Sequence, residues 1–272
     1  MDSKRKVNSL ISSLLLFYLL LSKVSVSFAE TNPTSKFNWK KIFPGIEISR
    51  YYLGPEDAVL KSQVLLVKID SSSYKFDVIQ TTRVYSDNLH ATDIKTITKD
   101  AAGIIGINAN FFDTAGKPLG LIISKSQQIH SIHSRGNVLT GILYFDRLGP
   151  NIEHRDIFKN IDVTTALQAG PRLIENRNVI KMNSEETSSR RSGVAINKKK
   201  EVILYATVLR FPGASLIEIQ HMLIEPELEI TQALNLDGGG SSQLFIENSD
   251  NNSEIFISGG DPIPVGLIVK KK

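Results

Sequence analysis

Asp237 stands in the stretch Ala233–Ile246, ALNLDGGGSSQLFI, where one acid and three consecutive glycines separate two apolar runs and two serines follow. Side chains alternate along a strand, so Asn235 and Asp237 are expected on one face. Gly238, Gly239 and Gly240 open backbone conformations closed to other residues, which lets amide N–H groups converge on an anion, and Ser241 adds a hydroxyl. A carboxylate beside such a nest suits a ligand carrying phosphate or sugar hydroxyls. A tight strand connection is the plainer use of the same glycines, and the flanking Asn, Asp and paired Ser favour the ligand.

A second stretch, INANFFD (Ile107–Asp113), repeats the design, with Asn108 and Asn110 on one expected strand face and Phe111, Phe112 and Asp113 at its end. Asparagine both donates and accepts, so a buried pair needs partners, and either sugar hydroxyls or neighbouring backbone can supply them. In QAGPRLIENRNVI (Gln168–Ile180) a Gly-Pro turn precedes Arg172 and Glu175. Arg172 is placed either to fork onto a phosphate or to sit as a solvated charge. Arg190 and Arg191 are adjacent on an expected strand and point opposite ways; Gly193 permits close approach and selects Arg191 as the pocket residue. His130 and His133 form H-x-x-H in a Ser-rich segment without a zincin glutamate, so a surface loop is expected there, and His90, His154 and His221 stand alone. Neither G-x-G-x-x-G nor G-x-S-x-G occurs, which removes the dinucleotide fingerprint and the nucleophile elbow.

The elements that must position these residues read mainly as strands. Ser62–Asp70 and Tyr74–Thr82 flank SSS and read as a hairpin; Gly103–Phe112, Leu119–Ser124, Leu139–Phe145 and the later β-branched runs continue the series. Two stretches have helical spacing: Ala91–Ala101, and Gly213–Pro226 with Ser215 as cap and Pro226 as stop. Each helix precedes a strand bearing polar residues, so the expected fold is α+β: a single domain with a mixed, mostly antiparallel sheet core and a few packed helices.

Lys4, Arg5 and Lys6 precede an apolar run from Leu10 to Leu21 that ends near Ser27-Phe28-Ala29, the pattern of a signal peptide over residues 1–29, ahead of a domain over 30–272. The apolar run is about a dozen residues, short of the roughly 20 a membrane span needs, so no stable span after cleavage is expected. Removing residues 1–29 takes four of the 32 Lys+Arg and one of the 28 Asp+Glu, leaving 28 against 27. Net charge therefore gives no drive toward nucleic acid. With no cysteine, neither a disulfide framework nor a thiolate metal site is available, and an exported chain of this kind points to a bacterial host. Asn251-Asn252-Ser253 matches a glycosylation acceptor for a eukaryotic host only.

Together GINANFFD, LGLIIS, LTGILYF, LQAGPRLIENRNVI, RRSGVAIN and LNLDGGGSSQLFI resemble the phosphodiester glycosidase family in order and spacing, from about Ile104 to the C-terminus. The resemblance implies hydrolysis of a sugar-1-phosphodiester to free sugar and a phosphomonoester, by an exported protein acting on cell-envelope or extracellular polysaccharide. Its motif positions fall on Asn108, Asn110, Phe111, Arg191, Asp237, Gly238, Gly239 and Gly240. Asp237 is then the catalytic carboxylate, Arg191 the phosphate clamp, the Gly238–Gly240 amides the anion nest, and Asn108 and Asn110 sugar binders. Phe111, Arg172, Asn235 and Ser241 join the substrate-binding set, and Asp113 and Glu175 are the candidates for a second carboxylate. Calcium or magnesium, as hard cations, would suit Asp113 or Asp237 with asparagine carbonyls. Two departures bear on substrate: the turn after GPRLI carries Glu175-Asn176-Arg177 instead of a glycine, and Asp261 lies in SGGDPIPVGLIV where many members carry a base. The alternative reading is a non-catalytic binder of cell-wall or capsular glycan phosphates.

Overall fold

In the run Val202–Thr207 all six residues are buried, so this strand must have a packed layer on each side. Val202, Leu204 and Ala206 face a core shared by three sheets, whereas Ile203 and Tyr205 face a second core on the opposite side. The computed structural model describes residues 35–54, 57–86, 89–182, 187–247 and 253–272, of which Lys36–Lys272 form one compact unit. The expected signal peptide and Asn251-Asn252 of the glycosylation acceptor lie outside the described residues.

The largest sheet has eight strands in the order Lys40–Phe43, Ile46–Leu53, Ser62–Ile69, Val202–Thr207, Ser192–Asn197, Ile230–Asn235, Arg172–Glu175 and Asn178–Val179. A five-stranded sheet runs Ile255–Ile257, Leu244–Ile246, Ile105–Asn108, Val265–Lys271, Tyr74–Gln80. Another runs Gly149–His154, Gly141–Asp146, Thr165–Ala169, Ile122–Ser124, Gln127–His130, and Val84–Ser86 pairs with Leu89–His90 as a small ribbon. Val67, Val194 and Leu234 from the first sheet meet Ile107, Leu244 and Leu267 from the second and Leu143 and Leu167 from the third in the shared core.

Two helices cover outer faces. Helix α1 (Ile94–Asp100) is capped by the Asp93 carboxylate, which accepts from the Thr96 N–H, and it packs Ile94 and Ile97 on Phe245 and Ile268. Helix α2 (Leu216–Leu223) begins with a capping box between Ser215 and Glu218 and buries Leu216, Ile219, Met222 and Leu223 against the eight-stranded sheet. Ser215 is thus the cap that the sequence indicates, although the helix ends three residues before Pro226.

The expected α+β class with a mixed sheet is overturned. Every strand pairing among the described residues is antiparallel, and the α-helices there are α1 and α2, of seven and eight residues. A helix preceding a polar strand was evidence for mixed α and β layers; here each helix only covers one sheet's outer face, so the fold is β-rich. The expected hairpin is also overturned: Ser62–Ile69 belongs to the eight-stranded sheet and Tyr74–Gln80 to a five-stranded one. A turn does form between them, with the Asp70 carboxylate accepting from Ser72 N–H and from the Ser72 and Ser73 hydroxyls, but it carries the chain from one sheet to another.

Candidate functional site

Asp237 lies where the eight-stranded sheet meets the sheet containing Ile105–Asn108, just beyond the strand Ile230–Asn235. Its backbone is held on both sides. The Asp237 N–H donates to Ala109 O at 3.2 Å, and its carbonyl accepts from Asn108 Nδ2 at 2.7 Å and Ser192 Oγ at 2.9 Å. Asn108 also accepts the Gln243 N–H at 3.0 Å, so one asparagine fastens both ends of the Asp237–Gln243 segment. Asn108 is 1 % exposed, and these bonds occupy both ends of its amide with backbone rather than with a pocket. Gln243 extends the frame: its Oε1 accepts the Ile94 N–H at the start of α1, and its Nε2 donates to Asp261 O at 2.8 Å. Burial raises the Asp237 carboxyl to about 6, the negative charge of Asp261 pushes the same way, and hydrogen bonds from Ser241 and the Gly238 N–H oppose the rise.

The three glycines have different reasons. Gly239 has φ +60°, which L side chains rarely adopt. Gly240 leaves room for Asp261, whose Oδ2 would lie 1.9 Å from an added Cβ. Gly238 is extended at φ −107°, so its need is space: a Cβ would meet Arg190 O at 3.2 Å and Arg191 Nη1 at 3.9 Å. The amides do not form an open nest, since Gly238 N–H serves the Asp237 carboxylate and Gly239 N–H donates to Arg190 O at 2.9 Å.

Arg190 and Arg191 precede their strand rather than lying on it, so strand alternation does not direct them, and each lines a recess of its own. Arg191 donates through Nε to Ala214 O at 2.9 Å and through Nη2 to Thr187 O at 3.0 Å, and it lines a cleft of about 600 Å³. Arg172, Lys181, Phe111 and Asn235 line the same cleft, and among the described residues no carboxylate does. The cleft wall depends on Gly170, where a Cβ would lie 1.9 Å from Val138 O, and on Gln168, which is fully buried. Gln168 Oε1 accepts from Leu121 and His133 N–H, and its Nε2 donates to the His133 and Leu139 carbonyls, all within 2.8–3.0 Å. Arg190 turns away, buried, into a separate recess that Asp261 also lines.

A phosphodiester glycosidase family model matches residues 101–270. The chain belongs to that family. Among solved structures, the chain is similar to the catalytic domain of zebrafish N-acetylglucosamine-1-phosphodiester α-N-acetylglucosaminidase, auto-inhibited by its pro-peptide. That match has TM-score 0.64 and 16% identity, covering 88% of this chain and 89% of that one. A hypothetical protein from Synechocystis matches with TM-score 0.58 and 15% identity over 90% of this chain and 65% of the other. A candidate exported protein of Burkholderia pseudomallei K96243 matches with TM-score 0.53 and 12% identity over 77% and 74%. No protein with a curated description matches in sequence. No helix among the described residues is long and apolar enough to cross a membrane.

The fold draws together some of the residues picked from sequence and separates others. Asn235, Phe111, Arg172 and Arg191 line one cleft, a Cβ on Gly238 would lie 3.9 Å from Arg191 Nη1, and Gly239 and Gly240 line the recess of Arg190 instead. Asn110 is 2 % exposed and has left the strand; its Nδ2 donates toward the Leu119, Leu121 and Gln168 carbonyls, while its Oδ1 has no partner. Asn235 Nδ2 donates to Gly170 O and Leu236 O, and its Oδ1 is likewise buried and unpartnered. Of the second-carboxylate candidates, Glu175 stands at the cleft through its ion pair with Arg172. Asp113 is exposed and its Oδ1 accepts the Ala115 and Lys117 N–H groups of its own turn. The carboxylate brought to Asp237 is Asp261, whose signal in the sequence was an acid directly after the glycine pair Gly259-Gly260. No group of three or more His, Asp or Glu side chains fit to hold an ion occurs among the described residues. His130 meets Gln80 Oε1 through Nε2 at 3.1 Å at the end of a strand, and the His133 N–H goes to Gln168. The turn that lacks the expected glycine is made by Asn176 and Arg177, both left-handed, at φ +48° and +68°.

Proposed function

We propose that the protein is an exported hydrolase that cleaves a sugar-1-phosphodiester of cell-envelope or extracellular polysaccharide to free sugar and a phosphomonoester. The observation that carries this reading is a largely buried carboxylate, raised to about 6, that follows by two residues Asn235 in the wall of a cationic cleft. Cleaving a glycosyl phosphate builds positive charge on the sugar and negative charge on the departing phosphate. A carboxylate that is mostly ionised at neutral pH serves the first, and Arg191 and Arg172 serve the second.

In this scheme Asp237 acts at the anomeric carbon, as the nucleophile or as the base that takes a proton from the attacking water. A bond forms to the anomeric carbon as its bond to the phosphate oxygen breaks, and the electron pair leaves with the phosphate; where the new bond is to Asp237, water then displaces the carboxylate at the same carbon and releases the sugar. The phosphate oxygen needs no proton to depart, so a general acid is dispensable. Asp261 replaces Asp113 and Glu175 as the second carboxylate. Asn108, Ser192 and Gln243 position the Asp237 backbone, and Asn235 with Phe111 offers a polar and a flat surface to the sugar.

The test is to incubate the purified protein and an Asp237→Ala variant with α- and β-linked sugar-1-phosphodiesters, with calcium or with EDTA, and to measure free sugar. Release by the wild type alone is the expected result and identifies the anomer. Saturable binding of a diester without turnover by the wild type would instead establish the glycan-phosphate binder.

A further inference from the structure

At the glycine turn lies a second recess, of about 540 Å³, lined by Ser188, Ser189, Arg190, Arg210, Ser258, Asp261 and four glycines. Arg190 is 8 % exposed. Its Nη1 donates to Ser258 O at 2.7 Å, but Nε and Nη2 are buried without a hydrogen-bond partner. No ion pair joins Arg190 or Arg210 to a carboxylate among the described residues. The two guanidiniums are near enough that Arg210 adds to burial in disfavouring the charge of Arg190. Two like charges share one recess, one of them desolvated and two-thirds unbonded. A buried guanidinium remains charged and demands acceptors, so this arrangement is unfavourable until an oxyanion enters. Asp261 lines the same recess, whose described side chains thus carry two positive charges and one negative.

We propose that this recess binds a second oxyanion of the substrate, a phosphate carried by the aglycone, with Arg190 as its buried anchor and Arg210 as its outer clamp. The inference rests on the hydrolase reading for the reacting phosphate beside Arg191 and adds a substrate class: a glycosyl phosphodiester whose leaving alcohol bears a further phosphate. Gly238 adjoins both arginines: a Cβ there would stand 3.2 Å from Arg190 O and 3.9 Å from Arg191 Nη1. A ligand lying across Gly238 meets Arg191 with its reacting phosphate and Arg190 with the next.

Two measurements test this. The first is direct binding of inorganic phosphate, by calorimetry and by phosphate-induced rise in melting temperature, for wild type, Arg190→Met, Arg210→Ala and Arg191→Lys. Methionine preserves the packed stem, so Arg190→Met is expected to melt no lower than wild type. It should weaken phosphate binding tenfold or more, as loss of a charge-assisted pair does, and exposed Arg210→Ala should weaken it severalfold without affecting the fold. Arg191→Lys should keep a phosphate-binding event. The second measurement is kcat/KM for a sugar-1-phosphodiester with an uncharged aglycone and for one with a terminal phosphate on the aglycone. The ratio favouring the phosphorylated aglycone should fall about tenfold in Arg190→Met. Equal loss on both substrates would mean that the recess holds the reacting phosphate and would overturn the proposal, as would failure of the wild type to bind phosphate. If no diester is turned over, the hydrolase reading fails, and the binding measurements still decide whether the recess takes an oxyanion.

Discussion

Replacing Asp237 with Asn should abolish turnover and yet stabilise the protein, by an amount that depends on pH. In the folded protein the Asp237 carboxyl is raised from 3.8 to about 6, chiefly by burial. A group whose folded pKa lies above its unfolded value binds a proton more readily when folded, so ionising it costs stability. The cost is absent below about pH 4, grows between 4 and 6, and is complete above 6. At 1.36 kcal/mol per pKa unit the shift of about two units corresponds to roughly 3 kcal/mol at most, and partial access to solvent makes roughly 2 kcal/mol the working figure. Asparagine keeps an oxygen to accept from Ser241 and Gly238 but carries no charge. Urea unfolding of both proteins from pH 4 to 7.5 should give equal stabilities at pH 4 and a variant more stable by about 2 kcal/mol at pH 7, a melting shift of roughly 4–8 °C. A difference that is flat with pH, or a wild type that is the more stable at pH 7, would refute the argument that burial sets the state of this carboxylate.

The same titration should appear in catalysis: if ionised Asp237 is the reactive form, kcat/KM falls on the acid side with an apparent pKa near 6, about tenfold between pH 7 and 5. A limb near 4 in a pH–rate profile would remove Asp237 from that role. Gly238→Ala should fold, since the backbone there is extended, but should lower kcat/KM at least tenfold by placing a methyl beside both arginines; steady-state kinetics beside a melting curve separates the two effects. Gln168→Leu removes four hydrogen bonds to backbone, leaving the buried Leu121 N–H without a partner while Leu139 O keeps Arg155, and should cost about 3 kcal/mol in urea unfolding. Arg177→Gly should gain about 1 kcal/mol, because φ +68° is strained for arginine, and the same unfolding experiment measures it.

The sequence makes the local signals legible and the pairing of distant ones obscure. Period-two runs locate most strands, and Ser215 announces the start of α2 through its partner three residues on, because those signals depend on neighbours in the chain. Whether adjacent strands pair depends on which cores their apolar faces reach. Ser62–Ile69 and Tyr74–Gln80 look like hairpin arms but bury their inward residues in a core between separate sheets. Asn108 shows the same limit at the site. Its type suggests sugar hydroxyls, but its partners are backbone groups of residues 237 and 243, more than a hundred positions away. Asp113 and Glu175 were attractive as carboxylates near conspicuous motifs, whereas Asp261 reaches Asp237 only because Gly240 has no side chain. Gln243, with no motif of its own, ties α1, Asn108 and Asp261 to the turn.

The run of three glycines is therefore not one device used three times. A nest would need its amides directed at a common empty point, but two of them are already bonded within the turn and to Arg190. What the glycines share is the removal of volume: from the left-handed corner at Gly239, from the seat of Asp261 at Gly240, and from the gap beside both arginines at Gly238. Removing volume on both sides of Asp237 lets a buried carboxylate, a second carboxylate and two guanidiniums approach one short turn. In the proposed reaction the cationic side chains offset the charge of the phosphodiester, and the burial that raises Asp237 also keeps water from screening it. The apolar strands on either side hold that turn rigid, so the work of positioning is done by the sheets and the chemistry is left to the few polar residues at their junction.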